Sequence, residues 1–430
     1  MKFRIYQIII IIIVIIISFN IIILLNNQNV IKLNNKNNNY SNSNSNSNIN
    51  SNSNININLN NNNINKNNNL KIKIEKKEKL IVKEDELKIS NEFKPKSKFL
   101  SINKRETVLS RECNFVDLVY TWVNGSDADH METKKQVMFN LTGEHIQDFE
   151  PHRYRDIGGL KYSLRSVRKY APWIRNIYII TANQVPTWFN SENPENVKFI
   201  FHKNYYGNIS HLPTYSSNSI ESNFWNLPNE VSNCFLYLND DVFFNRPVEK
   251  SDYFYDDQFN QKIYEIQERT QVFNEQKKLE PYAKSFAYSN SILNKIWGED
   301  KRRFLPDHGV QVYNKKIWLM IHDQLFDFGL DQTSSNRFRE SSDLQLSFIY
   351  NQFAKRYSNQ FKLASKGANL YVGIWNDQKI INNAINRILN EKNAMTICLN
   401  DGFDFVDDEI HSKLTNLFDT LFPEKSPFEN

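Results

Sequence analysis

The chain has 430 residues, with 53 Lys and Arg against 48 Asp and Glu, and its net charge of +5 is unevenly distributed. Residues 1–110 hold 17 basic and 7 acidic side chains and carry +10, whereas the remaining 36 basic and 41 acidic side chains give the rest of the chain −5. Because the part able to fold is mildly acidic, a strongly basic nucleic-acid-binding body is excluded and no nucleic-acid partner is expected. Three cysteines are too few for a disulfide-built scaffold; they allow one bridge at most and are expected to be buried thiols, at Cys113, Cys234 and Cys398.

The N-terminal residues predict a membrane anchor followed by a spacer. Lys2 and Arg4 precede an almost pure Ile, Val and Leu run over residues 8–25. As a helix this run is roughly 27 Å long, close to the thickness of the hydrocarbon core of a bilayer. No small-residue cleavage site follows it, so a signal-anchor with residues 1–7 in the cytoplasm and a lumenal body is favoured over a cleaved signal peptide. Residues 26–110, rich in Asn and Ser and then in Lys and Glu, are expected to form a disordered stalk.

Residues 111–430 predict an α/β domain with a mostly parallel sheet, flanking helices and a more helical C-terminal half. The evidence is an alternation of apolar strand candidates with segments of helical periodicity. The expected strands are 115–123, 176–181, 197–202 and 234–238. The expected helices are one capped by Asp156, then 216–225, 315–328, 341–356 and 377–389.

The strand candidate 234–238 is followed directly by two carboxylates, Asp240 and Asp241. Ligands of α/β sheets bind at the carboxyl ends of the strands, and paired carboxylates there suit Mg²⁺ or Mn²⁺ on a diphosphate. Adjacent side chains of an extended strand point in opposite directions, so the alternative is a solvated turn after a core strand.

Several other polar residues in the sequence are candidates for catalysis or for binding phosphate. His308, next to a glycine, is suited to take a proton from a hydroxyl, although a loop histidine is more often structural. Arg337 and Arg339 are suited to phosphate oxygens, or else form ion pairs with Glu340 or Asp343. The remaining candidates are Glu221 on a helix, a strand-to-turn group at Asp117, Asn124 and Asp127, and a second Asn-Asp pair at Asn400 and Asp401.

Taken together, these segments resemble the Stealth sugar-phosphate transferases. DLVYTWVNGSD resembles the first block of that family, and RDIGGLKYSLRSVRKYAPWIRNIYIITANQVPTWF, continuing through NSIESNFW and FLYLNDDVFF, resembles the second. LPDHGVQVY with NRFRESSDLQLSF resembles the third block, and ICLNDGF the fourth. The blocks occur in order, near residues 115–127, 155–250, 284–355 and 395–430.

The resemblance implies a fold like that of nucleotide-sugar transferases. It also implies transfer of a sugar 1-phosphate, expected to be GlcNAc-1-phosphate, from a UDP-sugar to a hydroxyl of a glycan or glycoprotein acceptor, with release of UMP. By motif, it implies catalytic roles for His308, Glu221 and Arg339, donor binding by Asp117, Asn124, Asp127, Arg337 and Asn400, and a divalent cation held by Asp240, Asp241 and Asp401. The expected location is the Golgi or another endomembrane, with the catalytic domain in the lumen.

Two other functions fit the same sequence. An ordinary metal-dependent glycosyltransferase would release UDP instead of UMP, and a catalytically silent glycan-binding protein would not need the residues at 221, 240, 308 and 339. Only about 40 residues separate Phe244 from Lys284, where the lysosomal-tag enzyme of the family carries a very large insertion. The resemblance therefore does not extend to selection of lysosomal proteins by this chain alone.

Overall fold

The computed structural model describes residues 113, 115–145, 150–256, 260–274, 279–358, 361–364 and 368–430. The expected anchor and stalk lie outside these residues and stay predictions. Within the described ranges, no helix is both long enough and apolar enough to cross a bilayer.

Strands and helices alternate through the first half of the described chain, and helices are more frequent in the second half. The strands are β1 Val116–Thr121, β2 Ile177–Thr181, β3 Val197–Phe201, β4 Cys234–Asn239, β5 Val242–Phe244, β6 Lys262–Ile263, β7 Glu265–Arg269, β8 Phe304–Pro306, β9 Gln311–Asn314, β10 Lys362–Leu363, β11 Asn369–Ile374 and β12 Thr396–Asp401. The helices are α1 Ala128–Thr142, α2 Gly159–Tyr170, α3 Ser217–Glu221, α4 Lys250–Tyr253, α5 Pro281–Trp297, α6 Lys315–Leu325, α7 Leu330–Ser335, α8 Leu346–Tyr357, α9 Gln378–Asn390 and α10 Asp408–Leu421.

The main sheet has five strands in the order β3-β2-β1-β4-β9. The first four are parallel to one another, and β9 is antiparallel to β4. Leu118 of β1 packs in the same apolar cluster as Leu160 of α2, whereas Val119 packs with Ile317 of α6 on the opposite face. Burial on both faces explains why β1 and β2 are continuous apolar runs in the sequence. The α/β prediction is confirmed.

A second sheet, in the order β11-β12-β5, makes the architecture mixed. Its strands β11 and β12 are parallel, whereas β5 is antiparallel to β12. One face of this sheet packs on α9 and α10 through Val372, Ile381 and Leu414. Only Asp240 and Asp241 separate β4 from β5, so the chain passes from the main sheet to the second sheet at these two residues.

Helix α2 begins two residues later than a cap at Asp156 predicts. Its N-cap is Gly158, with φ of 90°, whereas Asp156 accepts a hydrogen bond from the Gly158 N–H at 2.8 Å without being the cap. A Cβ at Gly159 would lie 2.6 Å from the backbone oxygen of Asp240. A glycine is therefore required where the helix starts, because its backbone packs directly against the Asp-Asp turn.

The cysteines differ in part from the expectation of buried thiols. Cys113 and Cys234 form a disulfide, with Cα atoms 5.3 Å apart, and Cys398 is a buried free thiol. The bridge fastens the chain just before β1 to the first residue of β4.

Candidate active site

Two neighbouring cavities lie beside the carboxyl ends of β1 and β4. The larger has a volume of about 430 Å³ and the smaller about 150 Å³. Both are lined by Arg153, Ser217, Asn239 and Arg339, so they form one continuous site. This is the edge at which parallel α/β sheets bind their ligands.

The sequence-predicted residues divide between the two cavities. The larger is lined by Asp240, Asp241, Asn400 and Asp401. The smaller is lined by Glu221 and His308, and Arg339 contributes to both. Seven of the eleven candidate residues are therefore brought together by the fold.

Asp240 of the larger cavity lies where the surrounding protein does little to stabilise a negative charge. Burial raises the pKa of Asp240 well above its ordinary value, and repulsion from Asp241 and Asp156 adds to the effect. One carboxylate oxygen of Asp241 is buried and has no hydrogen-bond partner among the described residues, while the other accepts from the Cys398 thiol at 3.3 Å. This pair of carboxylates fits a cation.

Asp401, the third carboxylate assigned to a metal, has a cationic partner of its own. Nη1 of Arg155 lies 3.1 Å and 2.9 Å from its two carboxylate oxygens. The N–H of Phe403 donates to it as well, at 2.8 Å. Asp401 therefore forms an ion pair at the wall of the larger cavity, and its expected role as a metal ligand stays a prediction.

Asp240 and Asp241 fit a metal ion that is bound partly by the protein and partly by a substrate. The described ranges hold no group of three or more His, Cys, Asp or Glu side chains arranged to bind a metal ion. Mg²⁺ is commonly held by only one or two carboxylates together with substrate phosphates. Asp240 and Asp241, with the orphaned oxygen of Asp241, meet that requirement.

Glu221 belongs to a chain of polar groups at the boundary of the cavities. Its Oε1 lies 3.3 Å from the hydroxyl of Tyr237, which also lies 2.9 Å from both Thr121 Oγ1 and Asn239 Oδ1. Burial raises the pKa of Glu221 to about 7, although Arg339 and the Tyr237 hydrogen bond lower it. A carboxyl group with this pKa is suited to gain or lose a proton near neutral pH.

His308 lies in the loop between β8 and β9, half-buried at the smaller cavity. Its ring contacts Tyr371 edge-on, with the centroids 5.4 Å apart. The preceding Asp307 accepts a hydrogen bond from Asn369 at 2.8 Å, which ties the loop to β11. A Cβ at Gly309 would lie 2.2 Å from Cγ of Asn369, so the loop requires glycine there. Within the described residues no hydrogen bond occupies a ring nitrogen of His308, which leaves both available to a substrate.

Arg339 and Arg153 place two guanidinium groups where the cavities meet. Nη2 of Arg339 donates to Ser217 Oγ at 2.8 Å, at the start of α3. Nε of Arg153 forms an ion pair with Glu150 at 2.8 Å. Arginines in this position suit the oxygens of a phosphate group.

Asp117 is not part of the site. Its side chain is fully buried near the amino end of β1, where the carboxylate accepts from Nε and Nη2 of Arg175 at 2.8 Å and 2.6 Å. It also accepts from the backbone N–H groups of Asn176 and Ser232. The structure therefore assigns Asp117 to the fold and corrects its expected role in donor binding.

Asn124, Asp127 and Arg337 also lie outside the linings of both cavities. Asn124 closes the turn after β1 by accepting from the Ser126 N–H, and Asp127 is the N-cap of α1. Arg337 donates to the backbone oxygens of residues 213 and 210 at 2.9 Å and 2.6 Å. These three side chains shape the loops around the site instead of binding in the cavities.

Sequence reasoning missed several residues of the site. Asp156 was expected only to cap a helix, yet it lines the larger cavity and accepts from Trp122 Nε1 at 3.0 Å. Arg155 precedes it and holds Asp401, and Tyr237 joins Glu221 to the strand end. The only sequence signal for the two charged residues is their place in the motif RDIGG.

Comparison with known proteins identifies the family. Models of the Stealth protein conserved regions match residues 114–142 (region 1), 153–263 (region 2), 307–356 (region 3) and 386–430 (region 4). The capsular polysaccharide phosphotransferase WcwK of Streptococcus pneumoniae is 31% identical over 341 residues, which cover 73% of this chain and 98% of that protein. The chain belongs to the Stealth family.

Other Stealth relatives match over smaller shares of their length. An exopolysaccharide phosphotransferase of Streptomyces coelicolor is 28% identical over 318 residues, and the match spans 73% of this chain but only about half, 51%, of that protein. The human N-acetylglucosamine-1-phosphotransferase subunits alpha/beta are 44% identical over 118 residues, 27% of this chain and 9% of that protein. Among solved structures, the galactosyltransferase LgtC with donor and acceptor sugar analogues aligns over 71% of this chain and 96% of that chain, at 10% identity and a TM-score of 0.33.

The Stealth conserved regions converge on the joined cavities. Region 2 contains Glu221, Asp240 and Asp241, region 3 contains His308 and Arg339, and region 4 contains Asn400 and Asp401. Region 1 contributes Thr121 and Trp122 to the wall of the larger cavity.

Proposed function

We propose that this protein transfers a sugar 1-phosphate, GlcNAc-1-phosphate, from a UDP-sugar to a hydroxyl of an acceptor glycan and releases UMP. The observation that carries the proposal is the joining of a carboxylate pair, two arginines, a histidine and Glu221 in one continuous site. The names of the relatives, polysaccharide phosphotransferases and an N-acetylglucosamine-1-phosphotransferase, support the same reaction class.

The larger cavity is the place for the diphosphate of the donor. Asp240 and Asp241 would hold Mg²⁺ or Mn²⁺ there, and the cation would offset the charge of the phosphate oxygens. Arg339 and Arg153, at the boundary with the smaller cavity, approach the same phosphates and stabilise charge as it shifts during transfer.

His308 in the smaller cavity takes the proton of the acceptor hydroxyl. The hydroxyl oxygen attacks the phosphorus attached to the sugar and forms the new P–O bond. The bond between that phosphorus and the oxygen bridging the two phosphates breaks, and UMP leaves with the electron pair on that oxygen. General-base assistance of this kind is typically worth about 10² to 10⁴ in rate.

Glu221 acts beside His308 in the smaller cavity. Its pKa of about 7 allows it to accept a proton near neutral pH, and Tyr237 fixes one of its oxygens. We propose that Glu221 orients the acceptor and holds the proton that His308 must release before the next cycle.

A metal-dependent glycosyltransferase is the second candidate function, because a carboxylate pair at a strand end serves that chemistry equally well. The released nucleotide separates the two. Purified protein is incubated with UDP-GlcNAc, a simple mannoside and Mn²⁺, and the nucleotide is identified by chromatography. UMP supports phosphosugar transfer, and UDP supports glycosyl transfer.

We propose a lumenal, endomembrane location for the catalytic domain, such as the Golgi, with the N-terminal anchor in the membrane. The Cys113–Cys234 disulfide supports this location, since structural disulfides persist mainly in oxidising compartments. Mass measurement of the cell-derived protein after thiol alkylation tests it. One alkylated cysteine in the folded domain is expected, whereas three would contradict a lumenal domain.

A further inference from the structure

Three aromatic side chains stand out on the surface of the described chain. Among the described tyrosines and tryptophans, the exposed ones are Tyr282, Tyr371 and Trp375, with exposed fractions of 56%, 46% and 52%. Tyr282 lines the smaller cavity, Tyr371 contacts His308 of that cavity, and Trp375 lines the larger cavity. Among the described residues, exposed Tyr and Trp are thus confined to the borders of the candidate active site.

Tyr282 and Trp375 are each held in place from one side. Tyr282 packs edge-on against the buried Phe286, with the ring centroids 4.9 Å apart. The indole of Trp375 lies over two glycines, because a Cβ at Gly373 or at Gly402 would come within 2.6 Å of it. Rings supported in this way lose little conformational freedom when a ligand covers the open face.

The rings of Tyr371 and Trp375 are arranged along one strand edge. Residues 371, 373 and 375 face the same side of β11 and its continuation, because side chains alternate between the two faces of a strand. Only Gly373 stands between the two aromatic residues on that face. In the register with β12, Tyr371 pairs with Cys398 and Gly373 pairs with Asn400, which lines the larger cavity. Because the indole of Trp375 lies over Gly373, the two aromatic side chains border the same stretch of β11.

We propose that Tyr282, Tyr371 and Trp375 form an aromatic rim that binds successive sugar rings of the acceptor glycan. The C–H faces of sugar rings carry partial positive charge and pack on the electron-rich faces of aromatic rings. The rim is continuous with the cavity of His308, so a chain lying on it presents one hydroxyl to that residue. This inference rests on the proposed function for the identity of its ligand as an acceptor.

The test is glycan binding by the full-length protein without any donor. The probe is a printed array of oligosaccharides, from single sugars to hexasaccharides, including mannose and N-acetylglucosamine chains. The wild-type protein is expected to bind at least one hexasaccharide about tenfold more tightly than the corresponding single sugar, and Y371A and W375A should each reduce that binding about tenfold. W375F, which keeps an aromatic plane, should restore most of it.

Phe115, 53% exposed and at the amino end of β1, provides the matched control, and F115A should bind like the wild type. Equal binding by wild type and Y371A, or no gain with chain length in the wild type, would overturn the proposal. So would a W375A variant that binds UDP more weakly but glycans normally, because that pattern marks a nucleobase platform. Binding to the array does not require turnover. A protein that binds glycans on the array but does not release UMP would contradict the proposed reaction and would still support the aromatic rim.

Discussion

The hydroxyl of Tyr237 lies 3.3 Å from Oε1 of Glu221, at the boundary of the two cavities. The same hydroxyl lies within 2.9 Å of Asn239 and Thr121 at the ends of the central strands. A tyrosine hydroxyl has one proton to donate, so it cannot satisfy both Asn239 and a charged Glu221. Burial raises the pKa of Glu221 to about 7, although Arg339 and the Tyr237 hydrogen bond lower it, so the carboxyl is partly protonated at neutral pH.

The first prediction concerns pH. In the wild type, kcat/KM should rise through a limb near pH 7 as Glu221 loses its proton. In E221Q that limb should disappear, and activity should fall by at least about tenfold. A pH–rate profile of both proteins checks this, and an unchanged limb in E221Q would remove Glu221 from the proton chemistry.

The free energy of unfolding should also depend on pH through the protonation of Glu221. Because the pKa of Glu221 is raised in the folded protein, the folded state binds its proton more tightly than the unfolded chain, whose value is near 4.5. The wild type should therefore lose stability relative to E221Q as pH rises from about 4.5 to about 7, with no further change above that range. Urea unfolding at pH 4.5, 6 and 8 measures the difference, and a constant difference would contradict the raised pKa.

His308 is predicted to act in the reaction instead of in the fold. H308A should lower kcat by about 10² to 10⁴, with the unfolding temperature unchanged. The exposed His411 of α10 is the matched control, and H411A should keep full activity. Retention of activity by H308A would exclude the histidine as the base.

Removing the charge of Asp241 should raise the metal concentration that the reaction requires. D241N should raise the Mn²⁺ concentration needed for half-maximal activity by at least about tenfold, because it removes one of two ligand charges. The exposed Asp404 supplies the control D404N, which should leave the metal requirement unchanged. A D241N variant with the metal dependence of the wild type would exclude Asp241 as a ligand.

Asp117 should prove to be a stability residue. D117A would remove an acceptor from Arg175 and from two partly buried backbone N–H groups, at a cost of about 1 to 3 kcal/mol in the free energy of unfolding. The KM for the UDP-sugar should stay the same under conditions in which the variant is folded. A raised KM without loss of stability would instead restore its expected role in donor binding.

Local sequence patterns were sufficient for the central strands and for the position of the Asp240–Asp241 pair. The parallel strands β1 to β4 are continuous apolar runs because they are buried on both faces, and Asp240 and Asp241 follow the last of them directly. The junction of two sheets at that point could not be predicted, because β5 contains only three residues and pairs with β12, far along the chain.

The contacts that the sequence does not predict join residues that are far apart along the chain. Arg155 and Asp401 are 246 residues apart, and Cys113 and Cys234 are 121 residues apart. Asp117 is indistinguishable from a site carboxylate until Arg175 is found beside it, and no sequence pattern indicates the ion pair between Asp401 and Arg155. No residue pattern around a carboxylate reports which cation the fold brings to it.

The most direct test of the central claim follows the phosphorus atom. Purified protein is given UDP-GlcNAc radiolabelled at the β-phosphorus, which is the phosphorus attached to the sugar, together with a glycan acceptor and Mn²⁺. Phosphosugar transfer predicts that the label moves to the acceptor and that unlabelled UMP is released. Label that stays in released UDP, with an unlabelled sugar on the acceptor, would contradict the account and identify a glycosyltransferase.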